Sequence, residues 1–384
     1  MGKIDELIQQ YCPDGVEWKK IEEVCKVKTP PAKLKTSDYQ EQGLFLIIDQ
    51  GQQQYAGYTD NEKAVVEDGE YILYGDHTCI VKYHKGRFAQ GADGLKILVS
   101  KANNPKYVYY AFSAYNLTST EYKRHWTQAK DLEIPLPPLP VQEAIVNILD
   151  RFAVYAAELQ AELQARQQQY NYYRDTLLSF EGREDVQWKK LGEVASIKTG
   201  RRFVRTDIRE SGVPCFHYGD IYTYYGLTAT KTKGYLEAEL ASKLRFAQPN
   251  DVVVVCAGEN DMDIGVGVAW LGDEPAVIHD ACCILHHEQN PRYISHFLRT
   301  HNYHLQMKRY VKNGKISSLP ASGLAEALIP IPSLEEQEKI ANILDRFDHL
   351  TNDLSQGLPA EIEARQQQYE YYRDQLLTFK RKEA

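Results

Sequence analysis

The sequence predicts two mixed α/β (α+β) globular domains, each running into a long conserved helix. Three observations predict it. Long strings recur at matching places in the two halves, short β-type runs alternate with turn signals inside each half, and an apolar stripe at helical spacing follows each half. The expected arrangement is two globular copies separated by long antiparallel conserved helices, a pseudo-twofold dumbbell.

The repeat is carried by IPLPPLPVQEAIVNILDRF at 134–152 with IPIPSLEEQEKIANILDRF at 329–347, and by ARQQQYNYYRDTLLSF at 165–180 with ARQQQYEYYRDQLLTF at 364–379. The offset is 195 at ILDRF and 199 at ARQQQY, so the second copy is four residues longer between them. A fainter match opens each half, VEWKKIEEVCKVKTP at 16–30 and VQWKKLGEVASIKTG at 186–200. Shared composition does not produce strings this alike, so the chain is a duplication. It divides into a first globular domain at 1–131, a proline-rich lead and long helix at 132–181, a second globular domain at 182–327 and a C-terminal helical region at 328–384.

Inside the first domain GLFLIID (43–49), EYILYG (70–75), CIVKY (79–83) and LKILVS (95–100) read as strands, followed by helical PKYVYYAFSAYN (105–116). The second has DVVVVCAG (251–258), IGVGVAWLG (264–272) and AVIHDACCILHH (276–287), then helical PRYISHFLRTHNYHLQ (291–306). Asp68-Gly69, Asp93-Gly94, Pro249-Asn250 and Gly272-Asp273 mark turns between them.

In the first helix Ile145, Leu149, Phe152, Ala156, Leu159, Leu163, Arg166, Tyr170, Tyr173, Leu177 and Phe180 are spaced alternately four and three apart, one face of a helix. Residues 157–164 are a tandem AELQ AELQ. At 1.5 Å per residue the stripe makes a rod of roughly 50 Å, preceded by the prolines at 135, 137, 138 and 140. The second helix follows through Ile340, Leu344, Phe347 and Leu354, breaks near 357–359 with Pro359 in the first turn of a restarted helix, and resumes at Ile362, Tyr369, Tyr372, Leu376 and Phe379. A stripe this long needs an equally long partner, which favours an antiparallel pair over each helix folding back on its own domain.

The net charge of −8 is unevenly placed. Residues 14–131 balance to zero and 182–327 to +1, while 132–181 and 328–384 carry −4 each, so either globular part is free to present a basic face. No apolar run reaches the length of a membrane span, and the start MGKIDELIQQYC lacks a signal-peptide core. Seven scattered cysteines do not form a disulfide framework, and a cytoplasmic location is expected.

Catalytic motifs are missing. No GxxxxGK[ST] phosphate loop occurs. Asn104-Pro105-Lys106-Tyr107 has one proline too few for an amino-methylation pocket, and Gly265-Val266-Gly267 lies within a strand-like run. Cys282, Cys283, His286 and His287 lack zinc spacing, because adjacent residues of a strand face opposite ways. No metal site, catalytic residue or resident cofactor is expected. The tyrosines of the ARQQQY and YYRD strings read as helix packing before base stacking. Candidate DNA contacts are three basic groups, Lys82, Lys85 and Arg87, then Arg201, Arg202, Arg205 and Arg209, then Lys312 and Lys315. Solvated surface charge explains each group equally well.

The repeated helical strings, with the domain openings CPDGVEWKKIEEV and VQWKKLGEV, resemble the specificity subunit of type I restriction–modification enzymes over essentially the whole chain. The resemblance implies a non-catalytic DNA-binding subunit whose two target recognition domains each read half of an asymmetric bipartite site. It implies double-stranded DNA, two methyltransferase (modification) subunits and restriction subunits as partners, with S-adenosylmethionine, ATP and Mg in those partners. It also implies that AELQ AELQ is a spacer element whose copy number sets the gap between half-sites. Two other readings stay open, a protein-interaction scaffold with peptide-binding domains, and a self-contained enzyme acting on nucleic acid.

Overall fold

The computed structural model describes all residues except Met1, 119–120, Tyr122, 259–263, Asn313, Lys315, 354–355 and Ala384. It forms two compact units, Met1–Ala157 with Ala364–Ala384, and Glu158–Glu363. Residues 132–181 contain the strand Glu133–Leu136 and one helix, Leu139–Leu177, whose first part belongs to one unit and whose last part belongs to the other.

Both globular parts are built on the same pair of sheets. In the first unit an antiparallel sheet orders Cys25–Lys28, Leu95–Ser100, Glu70–Gly75 and Val81–Lys85. A second sheet orders Gly57–Thr59, Phe45–Ile48, Phe88–Gln90 and Val65–Val66, its central pair parallel. The second unit repeats this as Ala195–Thr199, Cys282–His287, Val252–Val255, Gly267–Trp270 and an added edge Thr228–Ala229. Its other sheet orders Gly234–Leu236, Val213–Phe216, Ala276–Ile278 and Phe246–Ala247, again with a parallel central pair. One topology thus recurs under divergent sequence.

Three expected continuous segments divide, the first being 251–258, which forms Val252–Val255 and Ala257–Gly258 in different sheets. The run 276–287 is two strands in different sheets, with His279-Asp280-Ala281 as the turn between them. Cys282 and Cys283 accordingly face different apolar clusters, and among the described residues no three His, Cys, Asp or Glu side chains gather as metal ligands. The stretch 291–306 is two helices, Pro291–Phe297 and His301–Met307, because the Thr300 side chain accepts the Tyr303 N–H and caps the second.

The repeated openings find the repeated proline strings. Glu17–Lys20 pairs antiparallel with Glu133–Leu136, Trp18 opposite Pro135, and Gln187–Lys190 pairs with Leu328–Ile331, Trp188 opposite Pro330. In the first unit the C-terminal segment completes this base. Val16 bridges Arg381, whose guanidinium lies 5.0 Å from the Trp18 ring centre and 2.7 Å from Glu133. Gly15 is required there, since its φ is +95° and a Cβ would strike the Lys380 carbonyl.

The long helices depart from the sequence pattern at both ends. Leu139 and Pro140 are already helical, which costs nothing because first-turn N–H groups have no intrahelical partner. The helix stops at Leu177, and Phe180 lies beyond it at φ 47°, still buried. The second helical region is two helices, Leu334–Asn352 and Leu358–Leu377. Leu354 lies outside the described residues.

The stripe is not a single helix–helix seam. Ile145 and Leu149 are buried in the first domain's core, and Ile340 and Leu344 in the second's, because the domain helices pack against the start of each long helix. Further along, helix meets helix. In the first unit half-buried Phe152 packs on Tyr369 and Tyr372, centroids 6.3 and 5.5 Å away, and Arg365 lies over Tyr155. Leu376 and Phe379 are buried there too. In the second unit Leu159 and Leu163 cluster with Leu358 and Ile362, Tyr173 stacks on Phe347 at 5.4 Å, and Tyr170 is buried with Leu177 packed alongside. In each unit rising numbers on one helix meet falling numbers on the other, so the packed segments run antiparallel. No helix among the described residues is long and apolar enough to cross a membrane.

Candidate nucleic-acid interface

In the second unit the loops at one end of the sheets enclose an open cavity of about 800 Å³. Its lining includes Arg202 and Arg205 from the loop after Ala195–Thr199, His217 and Tyr218 after Val213–Phe216, and His279 from the turn after Ala276–Ile278. Gly200 lets the first loop lie flush against the last, because any Cβ would collide with the carbonyls of Ile278 and His279. The two imidazoles are buried with ring centres 4.8 Å apart, His279 edge-on to Phe203 at 5.1 Å and His217 against Tyr218 at 4.6 Å. His217 Nδ1 accepts the Gly219 N–H (3.3 Å) and His279 Nδ1 accepts the Ala281 N–H (3.1 Å). Each imidazole is then neutral with its proton on Nε2. Burial lowers both pKa values, and for His217 the neighbouring His279 lowers it further. The proximity of His279 Nδ1 to Asp280 is consequently not a charged pair in this state. Asp220, also buried, pairs with Lys233 at 3.1 Å and lies 3.8 Å from Arg205. Cationic rim, aromatic walls and imidazole donors suit phosphate and base edges.

The remaining basic candidates separate. Arg201 is exposed and donates to the Lys243 carbonyl (2.7 Å), tying down the loop. Arg209 pairs with Glu237, Lys85 with Glu70 and Arg87 with Glu62, all at the surface, where such pairs are worth roughly 0–1 kcal/mol and exchange readily. Exposed Lys312 bridges Ser318 through its backbone, next to cavity-lining Ile316. Lys315 lies outside the described residues. Lys82 is a correction. It is 4% exposed, and its ammonium donates to the carbonyls of Asp49 (2.9 Å) and Gln53, so it supports a loop from beneath. A lysine alternating inward on a strand finds carbonyls because an unpaired buried charge is too costly.

That supported loop is the first unit's counterpart of His217–Gly219, since it follows Phe45–Ile48 as the other follows Val213–Phe216. Its residues are Asp49-Gln50-Gly51-Gln52-Gln53-Gln54. Gln50 accepts the His77 N–H (3.0 Å) and donates to the Asp93 carbonyl (3.1 Å), while Gln52 and Gln53 are exposed. Exposed carboxamides match adenine edges. Sequence reading passes over this run because it weighs positive charge alone.

A further set of residues recurs in both units. Sequence reading weighs Asn104-Pro105-Lys106-Tyr107 only as a methyl-transfer motif and does not pair it with Asn290-Pro291-Arg292-Tyr293, although the second string was its available signal. Asn104 caps Pro105–Tyr115 and Asn290 caps Pro291–Phe297. The Tyr107 hydroxyl donates to the Pro135 carbonyl and Tyr293 to Pro330, both at 2.9 Å. Buried Gln142 accepts the Asn104 N–H (3.0 Å) and donates to the Pro137 carbonyl (2.7 Å). Gln337 does the same with Asn290 (3.0 Å) and Pro332 (2.9 Å). The basic residue reaches along the long helix, Lys106 to Asp150 (2.6 Å) and Arg292 to Asp345. Tyr110 also donates to Asp150, whereas its counterpart His296 bonds Asp345 and the Tyr170 hydroxyl.

Two domains of one topology, each joined by the same bonds to a repeated helix and each with its own loop chemistry, define a duplicated subunit with unlike loops. The chain belongs to the family described as the type I restriction modification DNA specificity domain, which matches residues 13–166 and 183–364. It is a non-catalytic specificity subunit of a type I restriction–modification system. Among its relatives, the EcoR124I/EcoR124II specificity subunit of Escherichia coli is 32% identical, covering 96% of each chain. A putative type I specificity subunit of Haemophilus influenzae is 27% identical over 95% of this chain and 96% of its own. The fold matches the crystal structure of a type I system S subunit from M. genitalium, with TM-score 0.58, 16% identity, and 94% and 96% coverage. It also matches a chain from a structural study of complex assembly in the type I system, with TM-score 0.60, 15% identity, and 95% and 98% coverage.

Proposed function

We propose that the chain reads an asymmetric, bipartite duplex, one half-site per domain, with its antiparallel helices holding the domains apart in a pseudo-twofold dumbbell. The observation that carries this reading is the pairing of equal topology with unequal loops. Gln50–Gln54 stands in one domain where His217 and Tyr218 stand in the other, as two readers of different sequences require. The near-identical helical strings present like surfaces twice, which suits recruitment of two copies of one methyltransferase subunit in the cytoplasm, with restriction subunits joining them.

The test is to co-express the full chain with its methyltransferase and map methylated adenines on plasmid DNA. A motif with two separated, unlike parts is expected. A short contiguous or palindromic motif, or none, refutes the reading and leaves the scaffold alternative.

Replacing Arg202 and Arg205 by alanine is expected to weaken binding to the full target about tenfold and to lower the slope of log affinity on log salt by about 2 if both meet phosphates. Titration at several salt concentrations measures both. Replacing His217 by alanine should relax the sequence preference of one half-site while leaving the other intact, which a randomised-site selection reads directly.

A further inference from the structure

We infer that the duplicated Asn-Pro-basic-Tyr and glutamine contacts are positioning clamps that fix each domain's pose on its helix, and that they make the subunit strict about the gap between half-sites. The inference rests on the bipartite reading above. One base pair more or less in the gap moves a half-site by 3.4 Å and turns it by about 35°. A subunit that rejects neighbouring gaps must therefore hold each domain more tightly than that.

Apolar contacts alone do so poorly, because they tolerate sliding. The clamp does not slide. Gln142 and Gln337 are 1% and 0% exposed, and each accepts one backbone N–H and donates to one proline carbonyl. Each also donates to a side chain of the domain, Gln142 to Asn103 and Gln337 to Gln289, both at 2.8 Å. The N–H comes from the residue that caps the domain helix, the carbonyl from the lead into the long helix. The Tyr107 and Tyr293 hydroxyls tie the same two parts a second time. A small displacement of domain on helix leaves several buried polar groups without partners at once, a cost no water repairs. The same bonds form in both units around different cores, so they answer to the junction, not to either domain's own packing.

The test uses the full chain co-expressed with its methyltransferase on plasmids carrying both half-sites at the preferred gap and at gaps one base pair shorter and longer. Wild type should modify the preferred gap at least about tenfold better than its neighbours. Gln142→Leu and Gln337→Leu, singly, should keep both half-site sequences while that preference falls to about threefold or less. Tyr107→Phe and Tyr293→Phe, which remove one bond with little change of shape, should relax the preference in the same direction and decide the matter should the leucine variants lose all methylation. Ile47→Val, a cavity in the first domain's core away from the junction, should leave it strict. Clamp variants that methylate with wild-type gap preference overturn the inference, as does equal relaxation by Ile47→Val. A wild type without a split motif refutes the bipartite reading instead.

Discussion

Deletion of Ala157–Gln160 leaves both half-site sequences unchanged and shortens the gap between them by one to two base pairs. The segment lies within the helix Leu139–Leu177, so four residues remove about 6 Å of axial length and turn the remainder of the helix by about 40°. The deletion is conservative in packing, because the next tetrapeptide is identical. Leu163 takes the place of Leu159, which clusters with Leu358 and Ile362. The stripe then steps three, three and four at the join, a local overwinding and not a loss of the apolar face. Since 6 Å is somewhat less than two base pairs of B-DNA, the original target should weaken at least about tenfold while a shorter-gapped one gains. Binding or methylation across a gap series measures this. A change in either half-site sequence, or an unchanged gap, would contradict the ruler argument. Duplicating the segment should lengthen the gap by the same amount.

How much of the fold and site was legible depends on which signals are local. The repeat, the stripe and most strands were readable because identity and periodicity survive without tertiary information. The split of 276–287 into two strands was not, since nothing in AVIHDACCILHH marks His279 as a turn, and what makes it one is the crossing of two sheets. That same miss hid the cavity, whose wall is that turn. Lys82 failed as a surface cation because a lysine's charge is visible in sequence while the carbonyls of Asp49 and Gln53 beneath it are not. Ile145, Leu149, Ile340 and Leu344 lie on the stripe yet belong to domain cores, because periodicity tells which face is apolar but not what covers it. The clamp lay in plain view as two Asn-Pro-basic-Tyr strings, separated from the helical repeat by loops of different length in the two halves.

Acidification from pH 7.5 to 5.5 should open the second unit before the first. Among the described residues six histidines are held below their ordinary pKa chiefly by burial. His84 is in the first unit, and His217, His279, His287, His296 and His304 are in the second. In the folded chain they take protons at lower pH than in the unfolded chain, where they titrate near pH 6.5. Stability from these groups is complete above that value and declines as pH falls below it, by at most about 1.4 kcal/mol per pH unit for each group. Carboxylates do not confuse the window. Asp345, held down by His296 and Arg292 despite burial, contributes stability that disappears only as pH falls from its ordinary value near 3.8. The same Asp345 softens the penalty at His296, whose protonated ring would keep that partner, so His287 and His304 should contribute more. Limited proteolysis with identification of the fragments, alongside thermal melts, measures the order of opening. Cuts within Glu158–Glu363 should appear first at pH 5.5, with the midpoint of that unit lowered by more than about 5 °C. His304→Gln should remove part of the shift. Equal loss in both units, or earlier cutting of the first, would show that buried imidazoles do not set the acid limit.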